Sequence, residues 1–216
     1  MNTNEKFVIT ISRELGSGGH TIARKLAGHL GVRLIDKELI HELSERFDLT
    51  PSTIERLKGE KKMWLSDFIR RVAPAPSPAA FIAGNSVYGK EFNPTITTDD
   101  IFQAETEILR QLAAEESCVI TGRSGFFVLK DHPQKVDIFI SAPMEKRIER
   151  LMRKQELTRE LAEEVIQKVD KQRENYIKHY ADTSRYDVRN YDLAINMDGL
   201  TEDQAVQIIL AYLEKK

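Results

Sequence analysis

Val8-Ile9-Thr10-Ile11-Ser12-Arg13-Glu14-Leu15-Gly16-Ser17-Gly18-Gly19-His20-Thr21-Ile22-Ala23-Arg24-Lys25-Leu26-Ala27 runs from an apolar, β-branched segment through a glycine cluster into a helical pattern. Three glycines in four positions, Gly16, Gly18 and Gly19, let main-chain N–H groups converge on one anion. The helix that follows adds the positive end of its dipole. This is the layout of a phosphate cradle, with Gly16, Ser17, Gly18, Gly19, His20 and Thr21 as its candidate binding residues. Against the template G-x-x-x-x-G-K-[ST], however, Arg13 stands at the first glycine and Gly19 at the lysine. The residue that ordinarily reaches the outer phosphates is missing, so a charge for chemistry must come from elsewhere. The alternative is a glycine-rich tight turn that binds nothing.

Outward from this segment, short β-branched runs alternate with longer amphipathic ones, the pattern of a parallel sheet covered by helices on both faces. The runs predict strands over Phe7–Ser12, Arg33–Ile35, Cys118–Thr121, Val136–Ser141 and Leu193–Asn196. Helices are predicted over Thr21–Leu30, Lys37–Arg46, Asp99–Glu116, Met144–Lys154, Arg159–Tyr180 and Glu202–Glu214. Start signals accompany several: Thr50 before Pro51, Thr98 before two aspartates, Pro143 in a first turn, and Thr201 with Gln204 three residues on. Between Lys58 and Thr98, prolines and glycines interrupt short apolar pieces around Trp64, Phe68, Phe81 and Phe92. This reads as an excursion from the core, either a packed surface loop or a substrate-side flap or oligomer contact.

A chain of 216 residues suffices for one domain with a substantial core. Hydrophobic residues at 41% and charged residues at 31% indicate a soluble globular protein rather than a disordered one. With 32 Lys and Arg against 34 Asp and Glu, nothing points to nucleic acid or an acidic membrane as partner. The single cysteine, Cys118, lies in an apolar run and reads as a buried strand residue, in keeping with a cytoplasmic location. No signal core or membrane-span pattern is visible. The oligomeric state stays open, a homodimer included.

Further motifs bear on chemistry. Val119-Ile120-Thr121-Gly122-Arg123-Ser124 carries a strand into Gly-Arg, which would aim a guanidinium into the crevice where ligands of this sheet class bind. Asp170 and Arg173 share one helical face, where an acceptor and a donor could meet one ligand or simply pair with each other. Arg147, Arg150 and Arg153, three apart, form a stripe that Glu145 and Glu149 could neutralise. At a helix start the dipole favours a neutral His20, and the remaining histidines lack metal-ligand spacing.

The whole chain resembles the cytidylate kinase-like family, a branch of nucleoside monophosphate kinases whose glycine loop reads Ser-Arg-x-x-Gly-Ser-Gly-Gly. The resemblance rests on Ile11-Ser12-Arg13-Glu14-Leu15-Gly16-Ser17-Gly18-Gly19, Leu34-Ile35-Asp36-Lys37-Glu38-Leu39-Ile40, Cys118-Val119-Ile120-Thr121-Gly122-Arg123-Ser124, Val169-Asp170-Lys171-Gln172-Arg173 with Tyr176, and Tyr191-Asp192-Leu193-Ala194-Ile195-Asn196. It implies an α/β P-loop kinase fold: a five-stranded parallel sheet flanked by helices, an acceptor-side insertion (residues 37–98) and a lid (residues 144–185). It implies ATP as donor, Mg²⁺ on the donor phosphates, and a nucleoside monophosphate as small-molecule partner. Arg123 matches the arginine of Gly-Arg-Asp, Arg150 and Arg153 match the lid arginines, and Asp170 with Arg173 matches the acceptor-binding pair.

The chain also departs from the pattern. His20 stands where a Ser or Thr would ligate Mg²⁺, which leaves Thr21, one position on, as the candidate metal ligand. Ser124 replaces an aspartate that helps choose cytosine, and Asp36-Lys37-Glu38-Leu39 replaces Asp-Ser/Thr-Gly-Ala, so Asp36, Lys37 and Ser124 would line a rebuilt acceptor pocket. Arg13 is the candidate to take the missing lysine's role. Two other functions stay open on the same residues: a non-catalytic nucleotide-binding or regulatory module, and an interaction scaffold built on the aromatic 58–98 segment.

Overall fold

The computed structural model of the chain describes residues 5–36, 45–46, 97–122 and 124–216. The insertion at 37–98 therefore lies almost wholly outside the described residues, as do the Thr50–Pro51 start signal, Lys37 and Arg123. Of the helix predicted from Lys37 to Arg46, only Glu45 and Arg46 are described, and both are helical.

Five strands form one parallel sheet: β1 (Val8–Arg13), β2 (Arg33–Ile35), β3 (Cys118–Thr121), β4 (Lys135–Ser141) and β5 (Leu193–Asn196), in the order β2-β3-β1-β4-β5. In the centre, Ile9 of β1 stands opposite Val119 on one side and Val136 on the other. The helices whose bounds fall among the described residues are α1 (Gly19–Leu30), α2 (Thr98–Glu115), α3 (Gly125–Val128), α4 (Met144–Gln155), α5 (Arg159–Ala181) and α6 (Glu202–Lys215). A short 3₁₀ turn, Val188–Asn190, precedes β5.

Strand side chains alternate between two cores. Ile9, Ile11, Val119, Ile138 and Ile140 pack with Ile22 and Leu26 of α1 and with Val206 and Ile209 of α6. Val8, Cys118 and Ile120 face the other way, onto Ile101, Leu109 and Leu112 of α2. Each fully buried Ile or Leu contributes about 1.5–3 kcal/mol, which makes these two layers the main source of stability. A third cluster joins α4 to α5 through Ile148, Leu151, Leu161, Val165 and Ile166. No described helix is long and apolar enough to cross a membrane.

The structure moves several boundaries. β1 runs on to Arg13, and α1 begins at Gly19, two residues before Thr21. The N-cap of α2 is Thr97 rather than Thr98: its hydroxyl accepts from Asp100 N (3.2 Å) while the Asp100 carboxylate accepts from Thr97 N (2.8 Å). Pro143 caps α4 from outside instead of entering its first turn. Thr201 and Gln204 form the expected capping box of α6.

Cys118 is free and wholly buried, and burial, with Glu116 adding to it, pushes its thiol up to about 12. The thiolate is the reactive form. An aromatic disulfide reagent is therefore expected to leave Cys118 unmodified at pH 8 in the folded chain and to titrate one thiol per chain in denaturant. Rapid labelling of the native protein would contradict this placement.

Candidate functional site

The loop between β1 and α1 lies at the carboxyl end of the central strand, where open parallel sheets place their ligands. Its shape is held from several sides. Glu14 N donates to Ile140 O (3.0 Å), and Ala142 N donates to Glu14 Oε2 (3.1 Å). Ser17, buried, turns its hydroxyl inward to Glu14 O (2.9 Å). Leu15 N donates to Asp170 Oδ1 (3.0 Å), and Leu15 O accepts from Arg147 Nε (2.8 Å). Arg147 and Asp170, 5% and 6% exposed, pair with each other through Arg147 Nη2. Arg147 Nη1 also lies 3.3 Å from Glu14 Oε1.

Each loop glycine meets a neighbour that a side chain would strike. A Cβ at Gly16 would lie 2.9 Å from the carbonyl oxygen of Arg147, and one at Gly18 would lie 3.1 Å from the Arg150 guanidinium. Gly18, at φ 92°, is the N-cap of α1; no side chain caps that helix and its first turn carries no acid. Its N-terminus thus suits an external anion. At Gly19 a Cβ would lie 2.5 Å from Arg13 Cβ, and a Cβ on Gly122 would collide with Arg13 Nη1. The Arg13 side chain therefore runs past Gly19 and across to Gly122, through space that exists because neither position has a Cβ. A lysine at position 19 is incompatible with this path.

An open cavity of about 330 Å³ lies over the loop, lined by Arg13, Gly16, Gly18, Gly19, His20, Thr21, Asp36, Arg150, Lys154 and Arg173 among others. That volume is within the usual span for a small-molecule site. A second cavity, about 40 Å³, is lined by Ser12, Arg13, Gly122, Ser124, Phe126, Arg173, Tyr176, Ile177 and Arg185. Arg13 and Arg173 line both. Asp36, buried, stands 3.3 Å from His20 Nδ1. Arg150 Nη2 lies 2.6 Å from Glu202 Oε1; burial opposes ionisation of Glu202, but the Arg150 hydrogen bond and charge bring its carboxyl below the ordinary glutamate value.

The site gathers most of the predicted residues and relocates some. Gly16, Gly18, Gly19, His20, Thr21, Asp36, Arg13, Arg150 and Arg173 line the larger cavity, and Ser124 lines the smaller. Arg153 does not join them: it is exposed, and Lys154 takes the place expected of it. With Ile148 and Leu151 buried, the period of 3.6 puts Arg147, Arg150 and Lys154 toward the loop and turns Arg153 away. Glu145 and Glu149 do not neutralise the stripe; they pair with Arg159 and Lys146. Asp170 and Arg173 do share a face, 3.5 Å apart, but the Asp170 carboxylate is turned to the loop and to Arg147 rather than toward open space. Arg185, read only as part of a charged run, is 4% exposed and donates from Nη2 to Arg13 O at 2.5 Å. Spacing offers no signal for it, because the contact spans 172 residues.

The model of the Cytidylate kinase-like family matches residues 8–199. A cytidylate kinase of Methanopyrus kandleri is 28% identical over 217 residues, covering 96% of this chain and 93% of that protein. An uncharacterized protein from Eubacterium ventriosum superposes with a TM-score of 0.70 at 25% identity, over 98% of this chain and 100% of that one. A gluconokinase from Sinorhizobium meliloti (TM-score 0.53, 15% identity, 98% and 94% covered) and a shikimate kinase from Acinetobacter baumannii in complex with shikimate (0.50, 17%, 97% and 94%) share the fold. The sheet and helices are thus those of a P-loop kinase.

Removing one partner of a buried ion pair strands the other, at about 3–5 kcal/mol. Arg147→Ala is accordingly expected to lower the unfolding free energy by about that much in a urea titration. Arg159→Ala, which breaks only an exposed pair with Glu145, is expected to leave the midpoint in place. Equal effects from the two would show that the Arg147–Asp170 pair does not hold the loop.

Proposed function

The chain belongs to the cytidylate kinase-like family, and we propose that it transfers the γ-phosphoryl group of ATP to a nucleoside monophosphate or a closely related phosphorylated acceptor. Family membership and the P-loop kinase fold support nucleotide-kinase chemistry. One observation carries the finer reading: Arg13 runs between two cavities and lines both, so a single guanidinium can reach a donor on the glycine loop and an acceptor beyond it. An acceptor oxygen attacks the γ-phosphorus, the bond from that phosphorus to the β-bridging oxygen breaks, and ADP leaves with the negative charge.

In this reading the amides of Gly16 to Thr21 cradle the donor phosphates at the uncapped start of α1. Arg13 supplies the cation that a lysine at position 19 would have supplied, and Arg150, packed over Gly18, closes on the same phosphates. Arg173, which lines both cavities, faces the acceptor, while Asp36 lies on the larger cavity beside His20. Arg123 and Lys37, outside the described residues, keep the catalytic and acceptor-binding roles that the resemblance gives them. Arg153, exposed and not on the cavity wall in this structure, is given no part in this reading.

Among the described residues no three His, Cys, Asp or Glu side chains form a metal cage. Mg²⁺ in such sites is held by one or two protein groups and mainly by substrate phosphates. Thr21, on the cavity wall, is the candidate ligand. When bound, the ion neutralises charge on the phosphate oxygens. Positioning and neutralisation by the chain's own groups account for the rest of the catalysis.

Purified protein with ATP, Mg²⁺ and a panel of nucleoside monophosphates is expected to form ADP faster with one acceptor than with none. Arg13→Ala should cut that acceptor-dependent rate by about 10²–10³, the usual cost of a lost transition-state donor, while ATP binding measured by calorimetry persists. Full activity in Arg13→Ala would remove the substitute-lysine role. ATP binding without turnover on any acceptor would leave a nucleotide-binding module.

A further inference from the structure

Strand β4 buries the apolar side chains Val136, Ile138, Phe139 and Ile140, and among them a carboxylate, Asp137, 7% exposed. Both of its oxygens are engaged. Thr10, wholly buried and directly opposite on β1, donates from Oγ1 to Asp137 Oδ1 (2.5 Å). Lys135, two residues back on the same face of β4, brings Nζ to within 2.6 Å of Oδ2. The same Nζ then reaches out of the sheet and donates to Phe126 O of α3 (2.7 Å). None of these three side chains lines either cavity.

Stability does not account for the cluster. Burial outweighs the hydrogen bonds from Lys135 and Thr10 and holds the Asp137 carboxyl above its ordinary range, with Asp192 adding to the shift. A buried ion pair generally stabilises no more than apolar side chains of similar volume, which here would extend the run already present in β4. Apolar side chains could not, however, hold a helix by its carbonyl. α3 has four residues, too few to stand alone, and its last carbonyls have no partner within the helix. Lys135 satisfies one of them. At the other end Gly125 rests on Thr10, where a Cβ would lie 3.2 Å from Thr10 Cγ2. Gly125 N donates in turn to Gly122 O (3.0 Å), and it is Gly122 that the Arg13 guanidinium lies against.

We propose that Asp137, through Lys135 and Thr10, is a positioning residue for Arg13: the carboxylate fixes α3, and α3 fixes the Gly122 turn that bounds the guanidinium. A charge buried in the second core layer thereby acts on one at the mouth of the sheet. The effect on turnover rests on the kinase reading; the support of α3 does not.

Lys135→Met cuts the tie to Phe126 O and lets Asp137 take up a proton, so no charge is stranded. Hydrogen exchange in this variant is expected to quicken about tenfold at Gly125, Phe127 and Val128, whose amides bond to Gly122 O and Ser124 O, while strands β1 and β3 keep their protection. The triple variant T10V/K135M/D137L, apolar throughout, should keep the thermal midpoint and show the same quickening; it decides if Lys135→Met alone does not fold. Unchanged exchange at those three amides overturns the proposal. In acceptor-dependent ADP formation, Lys135→Met should lower kcat about tenfold with KM for ATP unmoved, and should cost nothing further in an Arg13→Ala chain. An equal loss with and without Arg13 would mark a general structural role and overturn the assignment. If the unmodified chain has no turnover, the kinase reading fails, and the exchange measurement alone upholds or overturns the support of α3.

Discussion

The Arg13 side chain leaves the end of β1 past Gly19 and reaches Gly122: a Cβ at Gly19 would meet Arg13 Cβ at 2.5 Å, and one at Gly122 would displace the guanidinium end. This constraint couples three places that are distant in sequence. It accounts for the missing lysine in steric terms, since the arginine's own Cβ and Cγ fill the ground from which a side chain at position 19 would start. It keeps the loop short of side chains around the main-chain amides at the start of α1. It also ties the loop to α5 and the turn beyond it, because the carbonyl of Arg13 accepts from both Arg173 (3.2 Å) and Arg185. The cation beside the glycine loop is thus carried by the strand end, at Arg13, in a position that leaves no room for a side chain at Gly19.

The second determinant is the buried Arg147–Asp170 pair. Taking two charges out of water is costly unless further hydrogen bonds complete them. Here they are completed by the loop itself: Leu15 offers its N–H to Asp170 and its carbonyl to Arg147. The ion pair therefore acts as a clamp on the backbone of the glycine loop, fastened to helices α4 and α5. Phosphoryl transfer asks a protein mainly for fixed positions and fixed charges. A loop held in this way loses little freedom when a nucleotide arrives, whereas a free one would have to be ordered at that moment.

Much of this was legible in the sequence, where local rules govern. β-branched runs mark all five strands to within a residue, because a parallel sheet covered on both faces buries continuous apolar segments. The Thr201–Gln204 box and the glycine cluster followed by a helix are short-range chemistry with short-range signatures. The failures are of two physical kinds. A spacing of three approximates a helical period of 3.6 only over a few residues, so it grouped the exposed Arg153 with Arg147 and Arg150 and passed over Lys154, which lines the cavity; the buried Ile148 and Leu151 set the phase. The roles of Asp170, Arg147 and Arg185 depend on contacts across 23 to 172 residues, and no local pattern encodes them. Asp170 looked available to a ligand because a helical face says nothing about what a distant loop lays across it.

A double substitution that exchanges the two anomalous residues tests the central claim most directly. Arg13→Gly opens the passage but removes the charge; Gly19→Lys adds a charge where there is no room. Together, R13G/G19K rebuilds the ordinary loop. Acceptor-dependent ADP formation, measured in the two single variants and the double, is predicted to fall by about 10² or more in each single variant and to return to within about tenfold of the starting chain in the double. Losses that simply add, leaving the double slower than either single, would contradict the claim that Arg13 and Gly19 are two halves of one relocated cation.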